Sequence, residues 1–174
     1  MNVESVAAIA AAMEYIAGIG VRFGNAKNNT TKRDQLAEGY GVIQEHEENI
    51  SRAFLKGNGN MQSGHELVMY TASFRHTGIA DIPGLTMYGS RRISDRTSTF
   101  CLRSALFETA GELNDALLAR GIVAGASNFY ALYFSRDLGL EESGGFVRIG
   151  FVHYNSLAEV ERVVEALREI HHCR

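Results

Sequence analysis

"FVRIGFVHYNS", residues 146–156, is the stretch on which the reading of this chain turns. A strand sends alternate side chains to opposite faces. Val147, Ile149 and Phe151 therefore form an apolar set that belongs to a core. Phe146, Arg148, Gly150, Val152 and Tyr154 fall on the other face. An arginine in the middle of such a strand is either a solvated charge or a ligand anchor. Gly150, two residues on, removes a side chain beside it and leaves room for something to approach. Ser156 and Glu159 then form a capping box. Leu157, Val160, Val163, Val164, Leu167 and Ile170 recur at helical spacing, which predicts a closing helix.

Working outward, the upstream pattern alternates strands and helices. "LTMYG" (85–89) and "RTSTFCLRS" (96–104) read as strands, and "ETAGELNDALLARG" (108–121) as a helix capped by Thr109 and Glu112 and stopped by Gly121. "IVAGAS" (122–127) reads as a third strand or loop. "NFYALYFSRDLGL" (128–140) reads as a short helix with Asn128 as its cap and Gly139 at its end. Such alternation predicts a sheet covered by helices. Nearer the start, Val6, Ile9, Met13 and Ile16 predict a first helix that Gly18 and Gly20 end. Leu36, Tyr40, Ile43, Ile50 and Phe54 line a second over about 33–56. The polar stretch 22–35 between them is expected to be a linker. Residues 57–80 read as an insertion that holds one possible strand, "ELVMYTASF".

Composition narrows the function classes. The chain has 174 residues, 45% hydrophobic and 21% charged, with a net charge of −3, so one domain, or one and a small part of another, is expected. Its 17 basic residues are spread out, which leaves no electrostatic footprint for nucleic acid. Cys101 and Cys173 cannot build a disulfide framework, and a reducing, cytoplasmic setting is expected. The Ala-rich run 6–21 lacks a basic leader and contains Glu14, so neither a signal peptide nor a membrane span is expected there.

Several motifs fail on chemistry. "HEENI" (46–50) lacks the second histidine of a zinc-protease helix, and "GNGNMQSG" (57–64) lacks the Gly-Lys-Ser/Thr of a phosphate loop. "GIGVRFG" (18–24) follows a helix rather than the strand that a dinucleotide site requires. His171, His172 and Cys173 at a fraying terminus read as incidental, not as metal ligands. Cys101 reads as a small buried hydrophobe in its strand.

One set of residues carries a family resemblance. "GIVAGASNFYALYFSRDLGLEESGGFVRIGFVHYNSLAEVERVVEALREI" (121–170) resembles the C-terminal part of PLP-dependent class V aminotransferases, on the cysteine desulfurase-like branch. In that family a strand reading R-x-x-x-x-x-Y-N-T/S precedes the final helix. Arg148, Tyr154, Asn155 and Ser156 fall at that spacing. "IPGLTMYG" (82–89), "RTSTF" and "LLARGI" match as well. The opening helix resembles the one that follows a Thr-Pro-Asn-x-Glu motif, with Asn2 and Glu4 in register.

The resemblance implies an α/β chain. Residues 33–174 would be the small C-terminal domain of a fold-type I PLP enzyme, a short mixed or antiparallel sheet covered by helices, with 1–32 left from the large domain. It implies pyridoxal 5′-phosphate as cofactor and an amino acid as substrate, whose α-carboxylate Arg148 would bind. Asn128, Tyr130, His153 and Asn155 are the remaining substrate-pocket candidates. Left to the residues alone, Asn128 and Asn155 read equally well as caps, and Tyr130 and His153 as packing.

The match also departs from the family. The Schiff-base lysine belongs upstream of the first helix, and Lys27, Lys32 and Lys56 all follow it. The family's catalytic cysteine position holds Tyr130. The chain is therefore expected to be a truncated or lone domain, inactive by itself and without catalytic residues or a PLP site of its own. It would work as a homo-oligomer or beside a full-length relative. The other readings are a non-enzymatic binding or assembly module, and a carboxylate binder that uses Arg148 without PLP.

Overall fold

The computed structural model describes residues 2–57 and 78–172. The proposed strand "ELVMYTASF", Cys173 and most of the proposed insertion lie outside them. The chain divides into two compact units, Met1–Glu47 and Glu48–Arg174.

The first unit is a helical hairpin. Helix α1 runs Val3–Phe23, capped by Asn2, whose side chain accepts from the N–H groups of Glu4 and Ser5. Helix α2 runs Lys32–Lys56, and its first half belongs to this unit. Gly18 and Gly20 were expected to end α1, but the helix continues through both. Gly20 serves packing instead. A Cβ there would lie 2.2 Å from the Gln35 carbonyl oxygen, and one on Gly39 would lie 2.1 Å from that of Ile16. Only bare backbone lets the two helices approach this closely. Glu14 and Lys32 pair at 2.7 Å across the hairpin.

Within α1 only Ala17 and Gly20 are buried. Val6, Ile9 and Met13 of the predicted apolar stripe are exposed within the chain, as is Val3, while Ile16 is half-buried. By length and composition α1 could cross a membrane. Tyr40, expected on the buried stripe of α2, is 58% exposed.

The second unit holds the sheet, in the order β1-β2-β4-β3 with every neighbouring pair antiparallel. The strands are β1 Leu85–Tyr88, β2 Thr99–Ser104, β3 Gly125–Ser127 and β4 Phe146–Gly150. Helices α3 Ala110–Leu118 and α5 Leu157–His172 supply the helical layer, together with the last turns of α2, and α4 Leu132–Asp137 is short. Val147, Ile149 and Phe151 enter the core as the alternation predicts. Phe100, Leu102, Val147, Ile149 and Phe151 meet Leu113 and Leu117 of α3, Val160, Val164 and Leu167 of α5, and Ile50 and Phe54 of α2. Burying each large apolar side chain contributes roughly 1.5–3 kcal/mol. Both capping boxes are present. Thr109 with Glu112 opens α3, and Ser156 exchanges backbone and side-chain bonds with Glu159 ahead of α5.

The opposite face of the sheet is covered at one end. Phe146 is only 2% exposed. Tyr88 meets its ring edge-on at 5.2 Å, and Phe134 stacks on it at 5.6 Å. This aromatic cluster covers one end of the outer face.

Candidate carboxylate-binding site

Antiparallel register places Tyr88, Cys101, Arg148 and Gly125 in one row across the outer face. Arg148 is exposed. Its guanidinium carbon lies 4.0 Å over the centre of the Phe129 ring. Two other arginines, Arg96 ahead of β2 and Arg103 on it, are occupied by backbone. Arg96 donates to the carbonyls of Ser90, Thr97 and Thr99, and Arg103 to those of Ser143, Gly145 and Glu108. Among the described residues none accepts a hydrogen bond from Arg148 or pairs with its charge. A cation built into a sheet with its donors unspent suits an external anion, and a carboxylate matches the two-pronged guanidinium edge.

The turn that supplies Phe129 is strained. Phe129 and Tyr130 have φ of 49° and 66°, the positive-φ residues other than glycine among those described. Each costs roughly 1–2 kcal/mol for an L-residue. Side chains hold them there. Ser127 Oγ accepts from the Phe129 N–H at 3.3 Å, and Asn128 Oδ1 from the Tyr130 N–H at 3.0 Å. Asn128 in turn donates to Glu141 at 2.9 Å, and the Ser135 hydroxyl also donates to Glu141. Those bonds hold the Glu141 carboxyl below its usual pKa, the Ser135 bond most strongly.

These observations correct several expectations. Asn128 does not cap α4, whose N-cap is Ala131; it braces the turn. Tyr130 is not packed but fully exposed, at 104%. Cys101 is not a core residue. It is half-buried on the outer face, across from Arg148, while Phe100 and Leu102 beside it enter the core. Burial pushes its thiol pKa up, and Arg148 and then Arg96 oppose that rise.

The other pocket candidates sit past the end of β4. Asn155 Oδ1 accepts from the Val152 N–H at 2.9 Å, and its own N–H donates to the Val152 carbonyl, which closes the turn into α5. His153 packs edge-on against Tyr154 at 5.3 Å. Arg148 thus shares its cross-strand row with Cys101 and Gly125 and lies against the Phe129 ring. Sequence reasoning passed over Phe129. The available signal was Gly125, a glycine inside a strand, which marks close approach by another group.

Among the described residues the lysines are not arranged for a Schiff base with PLP beside Arg148. Lys32 is taken by Glu14, Lys27 is exposed between α1 and α2, and Lys56 is exposed at the end of α2. No lysine lies on β1–β4 or on the 125–130 turn. Among the described residues no group of His, Cys, Asp and Glu is arranged to hold a metal.

No protein-family model matches the chain, and no curated protein does. Its structure does resemble a solved one, the apo structure of cysteine desulfurase from Thermococcus onnurineus NA1. The match has a TM-score of 0.61 at 19% identity and covers 82% of this chain but 29% of that one. The likeness is one of fold: this chain is built like a part, under a third, of a cysteine desulfurase.

Proposed function

We propose that the chain is a domain of a PLP-dependent, class V aminotransferase-like enzyme, to which it contributes Arg148 as the anchor for the α-carboxylate of an amino acid. Residues 1–32 then belong to the large domain of the complete enzyme and 33–174 to its small domain. The observation that carries this reading is the exposed Arg148 guanidinium, stacked on Phe129 with its donors unspent, on a β4 strand followed by Tyr154-Asn155-Ser156. Such an anchor contributes orientation, because two parallel hydrogen bonds fix how the substrate is presented to the reacting group. Asn128, Tyr130, His153 and Asn155 are assigned to the wall of the same pocket. The chain supplies no Schiff-base lysine near Arg148, so on this reading it is not catalytic alone. It works in the cytoplasm with another chain that brings the cofactor site.

The test takes the purified chain with added PLP, followed by borohydride reduction and intact mass. No retained pyridoxyl group is the expected result. One held on Lys27, Lys32 or Lys56 would overturn the view that the cofactor site lies elsewhere.

A second reading has its own observation. The exposed Val3, Val6, Ile9 and Met13 of α1 favour an assembly module that associates through that helix, with or without chemistry.

A further inference from the structure

We infer that Phe129 is a positioning residue for Arg148, a platform that fixes the plane of the guanidinium so that its free edge meets a planar two-oxygen anion. The inference rests on the carboxylate-anchor reading and assigns it a residue that the R-x-x-x-x-x-Y-N pattern does not contain. Guanidinium donors lie in the plane of the group, so a ring against one face uses none of them. The ring quadrupole attracts the charge from that face. An exposed arginine otherwise samples many rotamers, and each must be given up when an anion binds.

Three features of the chain build the platform. Gly125 clears the floor, since a Cβ there would lie 3.3 Å from the Phe129 ring. The positive φ of Phe129 and Tyr130 turns the chain back over β3. Asn128, braced by Glu141, together with Ser127 holds that turn by its N–H groups. A turn made only to connect β3 to α4 has no need of two aromatic residues in this conformation.

The test follows the Nε–Hε signal of Arg148, assigned with Arg148→Met, in the full chain labelled with nitrogen-15. Wild type, Phe129→Leu and Phe129→Tyr are compared, with folding checked on the backbone amide spectrum. Each is titrated with sodium propionate against sodium chloride at equal ionic strength. The expected result is a ring-shifted signal that responds to propionate in wild type and Phe129→Tyr. In Phe129→Leu the ring shift is lost and affinity falls roughly two- to fivefold, the range for an exposed cation–π contact. Equal propionate affinity in all three proteins would overturn the platform and leave the anchor standing. No response to propionate in wild type would overturn the anchor. The platform is then judged on the free signal alone, and the same chemical shift in Phe129→Leu as in wild type would overturn it too.

Discussion

At the scale of the residue, the row Tyr88–Cys101–Arg148–Gly125 couples two side chains that are 47 positions apart in sequence. The Cys101 thiol is pushed up by burial and drawn part of the way back by the cation facing it across the strands. Removing that cation leaves burial with less opposition. In a Cys173→Ser background, Arg148→Met should therefore move the midpoint of iodoacetamide alkylation at Cys101 to higher pH. The thiolate is the reactive form, so alkylation reports the titration directly. An unmoved midpoint would mean that the two groups do not interact. The strand period by itself set which residues alternate. It did not tell that Cys101 shares its face with Arg148, because that depends on the register between β2 and β4.

Among the elements, the two capping boxes were the most legible feature. Each capping box has both partners within four positions, so local chemistry is enough to place it. Backbone N–H groups, Thr109 first for Glu112 and Ser156 first for Glu159, hold both carboxyls below the ordinary carboxylate value. The sign follows from proton binding. The unfolded chain takes up protons at a higher pH than the folded one, so this stability is whole above about 4.5, the ordinary carboxylate value, and is lost as pH falls through the lower folded values. The double variant Glu112→Gln, Glu159→Gln should show a shallower acid limb when urea midpoints are measured from pH 6 down to about pH 3. An unchanged slope would remove these caps from the acid response. The ends of elements were less legible. Gly18 and Gly20 look like stop signals, yet Gly20 is needed where α1 meets α2, a contact no local rule contains. Asn128 looks like a cap, yet it braces the strained turn beneath Arg148.

For the whole molecule, the central issue is what covers α1. Val3, Val6, Ile9 and Met13 are exposed within the chain, while α1 meets α2 where Gly20 approaches Gln35 and Gly39. If another protein surface covers it, Ile9→Lys should change the state of association. Sedimentation velocity of wild type should show a concentration-dependent oligomer, and the variant a single smaller species. A wild-type monomer at every concentration would leave the assembly reading without support.

The alternation of strands and helices in 85–172, ending in a closing helix, is legible in the sequence alone, because burial of one face imposes periods of 2 and 3.6 that survive without any knowledge of neighbours. The sequence singled out Arg148 for the same reason: a charge in an alternating apolar strand stands out locally. Only the tertiary structure decided that Phe146 is buried and Val6 is not, that Cys101 faces Arg148, and that Phe129 lies under the guanidinium. Those outcomes depend on which surfaces meet across long separations in the chain, and side-chain pattern records that a residue is apolar without recording what comes to cover it.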